Sequence, residues 1–321
     1  MISKTMQEMV KGSSVIRAMF EEGKRMAAQY GAENVYDFSL GNPSTPPPAA
    51  IREAAIDILR EEPDGLIHGY MSNAGYEEVR AALAEEINQK EGTAYTAQNL
   101  IMTVGAAGAL NVAFKTILEA GEEVLLLAPF FGEYVNYVRN FGAQPVVVPA
   151  DIPEFSIPLA EVEKRITPRT KALIINSPNN PTGVIYPEAD IRRLAALLEA
   201  KEREYGHAIY LIADEPYREI CFTEQQVPHL PQFYANTLVG YSYSKSLSLP
   251  GERIGYLLIP DAVEEFEDTV AAASVANRIL GFVNAPSLFQ RVIGRCAGQQ
   301  SDMTEYRRNR DVLYRELTNM G

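Results

Sequence analysis

Short runs of apolar residues recur along the chain, separated by longer stretches in which the apolar positions lie three or four residues apart. Continuous runs are typical of strands buried on both faces, whereas the wider spacing is typical of helices that pack by one side. The pattern therefore predicts strands at 100–104, 124–128, 145–148, 171–175, 208–213, 238–241 and 256–259, with a further short run at 35–40.

The helical spacing is clearest at 188–204, where Ile191, Leu194 and Leu198 share one face. Further helices are predicted at 14–30, 49–60, around Val79, Leu83 and Ile87, at 105–118 and at 303–317. Strands that alternate with helices of this length indicate an α/β fold with a mostly parallel sheet and helices on both faces. Loops at the strand ends of such a fold are the expected place for chemistry.

Composition excludes several classes of function. The 321 residues are 46% hydrophobic, which is enough for a large buried core. With 29 basic and 42 acidic residues the net charge is −13, so neither nucleic acid nor an anionic membrane is expected as a partner. No apolar stretch approaches the ~18 residues that a membrane helix requires. Cys221 and Cys296 fit neither a disulfide framework nor a metal site, and a cytoplasmic location is predicted.

One lysine stands out for its surroundings. Lys245 lies in the segment S-Y-S-K that begins at Ser242, directly after a predicted buried strand. Burial disfavours the ammonium form, and a neutral amine can condense with an aldehyde cofactor such as pyridoxal 5'-phosphate. Nearby serines and Arg253 suit the phosphate of that cofactor. Taken alone, the segment favours a surface lysine in a serine-rich loop.

Two more motifs change that interpretation. S-P-N-N-P-T-G occupies 177–183 and D-E-P-Y occupies 214–217, and S-Y-S-K follows them with Arg253 eight residues beyond the lysine. In this order the three motifs resemble those of the class I and II aminotransferases, which are fold-type I pyridoxal phosphate enzymes. The resemblance extends from Gly41 to the end of the chain.

The resemblance implies a division into domains. Residues 1–45 would form the amino-terminal segment of a small domain, 46–290 the large cofactor-binding domain, and 291–321 the start of the carboxy-terminal part of the small domain. Family members continue for several tens of residues and include there the arginine that binds the substrate carboxylate. The chain is therefore expected to be truncated.

The family also implies roles for the motif residues. Lys245 would hold the cofactor as an imine and later carry a proton to and from the substrate α-carbon. Asp214 would face the pyridine nitrogen, because a carboxylate on a buried strand needs such a partner. Asn180 and Tyr217 would both donate to the phenolate oxygen of the cofactor, and Asn180 would also border the substrate. The alternatives are that Asp214 caps a loop and that N-N-P-T-G is simply a turn.

A second group of residues is predicted to bind the cofactor phosphate. A turn of small residues at the start of a helix lets an anion approach free backbone N–H groups, although close packing of a helix on a sheet favours the same composition. By alignment with the family, Ser242 and Arg253 are favoured as phosphate ligands over Ser244, whose side chain could point away from the phosphate. The predicted phosphate site consists of Gly105, Ala106, Ala107, Ser242, Ser244 and Arg253.

Three further residues are assigned by alignment with the family. Phe131 would stack on the cofactor ring, with core packing of both Phe130 and Phe131 as the alternative. Gly41 would lie beside the substrate carboxylate. Tyr70 would reach the phosphate of the other subunit in a homodimer, or else pack on its own domain.

These residues together predict an aminotransferase that moves an α-amino group from an amino acid to a 2-oxo acid. A pyridoxal phosphate lyase acting on C–S bonds or a decarboxylase on the same scaffold is the first alternative. A cofactor-sensing domain without activity is the second, although such domains are normally joined to a basic DNA-binding module, which this acidic chain lacks.

Overall fold

A computed structural model of the chain describes residues 2–11, 15–38 and 41–320 and divides into two compact units, Met1–Ser44 and Thr45–Gly321. The first unit contains α1 (Lys4–Lys11) and α2 (Val15–Tyr30). The strand predicted at 35–40 is wrong at 35–38, which belong to no strand, and 39–40 lie outside the described residues. An apolar run forms a strand only beside a partner strand, and the side chains of Tyr36 and Phe38 are exposed. The predicted domain division stays a prediction.

The second unit is built on one sheet of seven strands in the order β1-β7-β6-β5-β4-β2-β3. Strand β7 runs antiparallel to both of its neighbours, and the other neighbouring pairs are parallel. The mostly parallel sheet is thus confirmed. The strands are β1 (Leu100–Thr103), β2 (Glu123–Leu127), β3 (Gln144–Val148), β4 (Thr170–Asn176), β5 (Tyr210–Asp214), β6 (Thr237–Ser242) and β7 (Gly255–Leu258).

Helices join the strands and cover the sheet. The predicted helices are all present, within a few residues at each end. The helices of the second unit are α3 (Ala49–Glu61), α4 (Asp64–Ile67), α5 (Glu77–Glu91), α6 (Gly105–Ile117), α7 (Glu133–Arg139), α8 (Leu159–Arg165), α9 (Glu188–Tyr205), α10 (Tyr243–Ser246), α11 (Phe266–Ile279), α12 (Ser287–Arg295) and α13 (Thr304–Met320). Those predicted from the sequence are α3, α5, α6, α9 and α13, together with α2 of the first unit.

The core consists of two hydrophobic clusters, one on each face of the sheet. Along β4, for example, Leu173 and Ile175 belong to one cluster and Ile174 to the other. Successive side chains of a strand point to opposite faces, so a strand buried on both sides must be apolar throughout. This is why the strands could be predicted as continuous apolar runs.

The carboxyl ends of the central parallel strands bring polar residues together. The register pairs Asn176 at the end of β4 with Asp214 at the end of β5, and Ser242 at the end of β6 lies opposite Gly255. Gly255 permits a close approach of two backbones, because an added Cβ would lie 2.1 Å from the carbonyl oxygen of Tyr241. The edge so formed is where a ligand crevice is expected in an open α/β sheet.

Candidate active site

A cavity of about 140 Å³ opens at this edge of the sheet. Its walls come from the start of α6, from α7 and the residues before it, and from the ends of β4, β5 and β6. Nine of the residues predicted from the sequence line it, namely Ala106, Ala107, Phe131, Asn180, Asp214, Tyr217, Ser242, Ser244 and Arg253.

Asp214 lines the cavity and is only 6% exposed. Its Oδ2 accepts a hydrogen bond of 2.5 Å from the hydroxyl of Tyr134, whereas none of the described residues donates to its buried Oδ1. Burial raises the pKa of the carboxyl to about 6, against the lowering effect of the Tyr134 hydrogen bond. A buried carboxylate with one open acceptor calls for a cationic donor.

Asn180 and Tyr217 form a second polar group in the cavity wall. The Asn180 side-chain amide donates to the hydroxyl of Tyr217 over 3.2 Å. The loop that carries Asn180 is held by Asn176, whose Oδ1 accepts from the Asn180 backbone N–H at 2.6 Å and whose amide donates to the carbonyl of Asp214 at 2.8 Å. Two hydrogen-bond donors therefore converge where an anionic oxygen could bind.

Lys245 lies on the short helix α10 immediately after β6. The side chain of Ser242 caps this helix by accepting from the N–H of Ser244 at 3.1 Å, which fixes the turn that carries the lysine. Lys245 is half-buried, and desolvation lowers the pKa of its ammonium group. Partial burial thus increases the fraction of neutral, nucleophilic amine.

The predicted phosphate residues meet at the start of α6. Gly105 has a φ of +77°, and an added Cβ would lie 3.1 Å from Nη2 of Arg253. The Arg253 guanidinium donates to the carbonyls of Pro250 at 3.0 Å and Val104 at 3.2 Å. Glycine at this position therefore keeps open the space beside a fixed cation, next to a helix amino terminus.

Both serines contribute to the same end of the cavity. The hydroxyl oxygens of Ser242 and Ser244 lie 2.7 Å apart. The side chain of Ser244 therefore turns towards Ser242. A phosphate placed there would find two hydroxyl donors as well as the guanidinium of Arg253.

The remaining predicted residues differ in their surroundings. Phe131 lines the cavity with its ring edge-on to Tyr134 at 5.6 Å between centroids, whereas Phe130 packs against the hydrophobic core. Tyr70 is 97% exposed on the loop between α4 and α5. Gly41 belongs to the first unit, and its predicted contact with the substrate stays a prediction.

The sequence did not single out several residues that line the cavity. They are Leu110, Tyr134, Tyr137, Asn176 and Pro216. Asn176 ends a buried apolar strand, as Asp214 does, so the same signal could have found it. Tyr134 follows Phe131 by three residues, but only the fold shows that its hydroxyl meets Asp214.

Glu215, the residue after Asp214, lies on the opposite face of the sheet. Glu215 is buried there, 3.2 Å from the guanidinium of Arg218, which also pairs with Glu91 at 2.8 Å. Burial raises the pKa of the Glu215 carboxyl to about 7 in spite of this pairing. The adjacent acids Asp214 and Glu215 are therefore both buried but lie in separate environments.

The ligand-free protein is expected to gain stability when Asp214 is replaced by asparagine. Because the pKa of Asp214 rises from 3.8 to about 6 on folding, the folded state binds the proton more tightly, and the unfolding free energy falls as the pH rises between these values. At pH 8, Asp214→Asn should therefore be more stable by about 2–3 kcal/mol, and near pH 4 by almost nothing. Urea unfolding of both proteins across this pH range measures the difference.

The exposed residue Asp57 supplies the control. Asp57→Asn should change stability only slightly, because this side chain is exposed. A pH-independent effect of Asp214→Asn would contradict the burial of an ionisable group at this position.

Comparison with known proteins identifies the family. The model of the family "Aminotransferase class I and II" matches residues 33–321. The chain belongs to the class I and II aminotransferases. The resemblance drawn from the three motifs is therefore confirmed.

Individual aminotransferases show how far the likeness extends. A probable aspartate/prephenate aminotransferase of Thermus aquaticus is 34% identical over 286 residues, which are 88% of this chain and 72% of the relative. Aromatic-amino-acid aminotransferase 2 of Thermococcus litoralis is 30% identical over 98% of this chain and 78% of its own. The crystal structure of an aminotransferase from Eubacterium rectale matches with a TM-score of 0.95 and 47% identity over all of this chain and 81% of that one.

Membership of this family settles the kind of enzyme. The protein is a pyridoxal 5'-phosphate-dependent aminotransferase, and the predictions of enzyme class and cofactor are confirmed. Aminotransferases act on amino acids and 2-oxo acids. Within the described part of the chain, no helix is both long and apolar enough to cross a membrane.

Proposed function

We propose that the cavity at the carboxyl edge of the sheet binds pyridoxal 5'-phosphate and carries out transamination there. The observation that supports this most is the buried Oδ1 of Asp214, which needs a cationic donor, beside the converging donors Asn180 and Tyr217. A protonated pyridine nitrogen and a phenolate oxygen on one ring satisfy both. Arg253, Ser242 and the clear space at Gly105 suit the phosphate.

When bound, the cofactor supplies an aldehyde that bonds to amines and a ring that withdraws electrons from the substrate. Lys245 would hold it through its Nζ. The freed Nζ then removes the proton from the substrate α-carbon and later returns one, which requires the lowered pKa of the amine. Phe131, which lines the cavity, would stack on the cofactor ring.

The substrate is proposed from the chemistry of the relatives. Those described above are named for aspartate and prephenate in one case and for aromatic amino acids in the other. We therefore infer that the amino donor is a dicarboxylic or an aromatic L-amino acid and that the acceptor is a 2-oxo acid. The C–S lyase or decarboxylase considered above remains the alternative on the same scaffold.

We further propose that the protein acts in the cytoplasm as a homodimer. The free thiols of Cys221 and Cys296 are consistent with a reducing compartment. The exposed ring of Tyr70 is available to a partner subunit, where it would contact the phosphate. Sedimentation of the purified protein as a monomer at micromolar concentration would contradict the dimer.

A panel of half-reactions tests the proposed activity. The protein loaded with pyridoxal 5'-phosphate should convert the cofactor to its amine form with aspartate, glutamate, phenylalanine or tyrosine, and 2-oxoglutarate should reverse the change. Absorbance spectra follow the conversion, and alanine and lysine serve as comparison substrates. Formation of pyruvate and ammonia from cysteine without the amine form of the cofactor would instead identify a lyase.

A further inference from the structure

Tyr134 links two parts of the cavity, Asp214 and Phe131, which lie far apart in the sequence. Its side chain is only 1% exposed, and its hydroxyl donates to Oδ2 of Asp214 at 2.5 Å. The same ring lies edge-on to Phe131 and is stacked with Phe130 at 6.4 Å between centroids. One side chain therefore contacts both the buried carboxylate and the proposed stacking residue.

The hydroxyl of Tyr134 acts as a permanent donor. Burial and the neighbouring Asp214 raise its pKa well above 10, so it stays protonated over the whole working range of pH. A hydrogen bond to the charged form of a carboxyl favours ionisation and opposes the effect of burial. It also engages Oδ2, while Oδ1 has no donor among the described residues.

The other titratable groups around Asp214 do not provide this function. Tyr137 on the same helix and Tyr217 on the loop after β5 also interact electrostatically with Asp214, and burial raises the pKa of both hydroxyls, in the case of Tyr137 to about 12. All three tyrosines are therefore neutral near pH 7. Among the hydrogen bonds of the described residues, the one to a carboxylate oxygen of Asp214 comes from Tyr134.

We propose that Tyr134 is a positioning residue that fixes the Asp214 carboxylate with Oδ2 engaged and Oδ1 directed to the cofactor nitrogen, while it aligns Phe131 over the same ring. This role rests on the proposed function, because the cofactor nitrogen is the partner of Oδ1. The hydrogen bond from Tyr134 to Asp214 is already present in the cofactor-free protein, however. Its effect on the ionisation of Asp214 can therefore be measured without the cofactor.

The first experiment is a titration of cofactor-free protein. With ¹³C-labelled aspartate, the signal of Asp214 is assigned by its loss in Asp214→Asn, and its titration midpoint is compared between wild type and Tyr134→Phe. Removal of a hydrogen bond to a charged group should raise the midpoint by about 1 pH unit or more. Tyr234→Phe is the matched control, because it removes a buried hydroxyl that donates to the carbonyl of Ile209 at 2.6 Å, and it should leave the midpoint unchanged.

An unchanged midpoint in folded Tyr134→Phe would overturn the proposal. If that variant does not fold, an NMR measurement on the wild-type protein still tests the role of Tyr134. The hydroxyl proton of Tyr134 should give a strongly downfield, slowly exchanging NMR signal that moves as Asp214 titrates. A signal that does not respond to Asp214 would equally overturn the proposal.

The second experiment is a double-mutant cycle on cofactor affinity. Tyr134→Phe should weaken binding of pyridoxal 5'-phosphate about 10-fold in wild type, but less than about 2-fold in the Asp214→Asn background, where no charge remains to be oriented. Equal effects in both backgrounds would show that Tyr134 does not act through Asp214. If wild type itself binds no cofactor, the proposed function fails, whereas the titration still decides the role of Tyr134.

Discussion

Replacement of Lys245 with alanine should abolish covalent retention of pyridoxal 5'-phosphate and lower the rate of transamination by about 10⁴-fold or more. The substitution removes both the amine that bonds to the cofactor and the group that moves the α-proton. Lys245 is half-buried on α10, directly after β6. Borohydride reduction followed by mass spectrometry locates the bound cofactor, and half-reaction rates give the loss of activity.

A surface lysine controls for non-specific attachment. Lys164→Ala, on the exposed side of α8, should retain both the mass gain at Lys245 and the wild-type rate. Retention of activity in Lys245→Ala, or reduction of the cofactor onto another lysine, would contradict the proposed role. Weak non-covalent binding in Lys245→Ala is expected, because the phosphate and nitrogen contacts remain.

Asp214→Asn should reduce the rate of transamination by about 10²–10³-fold, although it stabilises the ligand-free protein at pH 8. The amide has nearly the same shape as the carboxylate but cannot keep the cofactor nitrogen protonated, so the ring accepts electrons less readily. Loss of a hydrogen bond between charged groups should also weaken cofactor affinity about 10-fold or more.

Stopped-flow half-reactions with a saturating amino acid separate the two effects, because the loss in rate persists when all sites are filled. Asp57→Asn should behave as wild type in this assay too. Wild-type rates in a fully loaded Asp214→Asn protein would show that the carboxylate does not pair with the ring nitrogen. Together with the stability measurement, the variant would show that the buried carboxylate serves the reaction at a cost in stability.

Much of the fold was predictable from local patterns, because each central strand is buried on both faces and its sequence must be apolar throughout. The residues directly after those strands were predictable as candidate site residues for the same reason, since polar groups at the ends of buried strands are exceptional. Asp214, the last residue of β5, illustrates this, whereas Asn180 lies in the loop that follows β4; the structure brings both to one cavity.

Other features depend on contacts between distant parts of the chain. The antiparallel direction of β7 and the order of the strands are set by crossovers that leave no periodic signal. The helix α7 has only seven residues, which is too short for a clear helical spacing. Tyr134 was therefore not recognised, because its hydrogen bond joins it to Asp214, 80 positions away along the chain. Residues 35–38 show the opposite error, in which an apolar run formed no strand.

The neighbouring acids at the end of β5 limit how this segment can evolve. Asp214 belongs to one face of the sheet and Glu215 to the other, where Arg218 is its partner. Insertion or deletion of a single residue within β5 would exchange the two faces and present the longer glutamate to the cavity, leaving aspartate beside the arginine. Loops around the crevice can therefore change in length, whereas the number of residues in this strand must stay fixed.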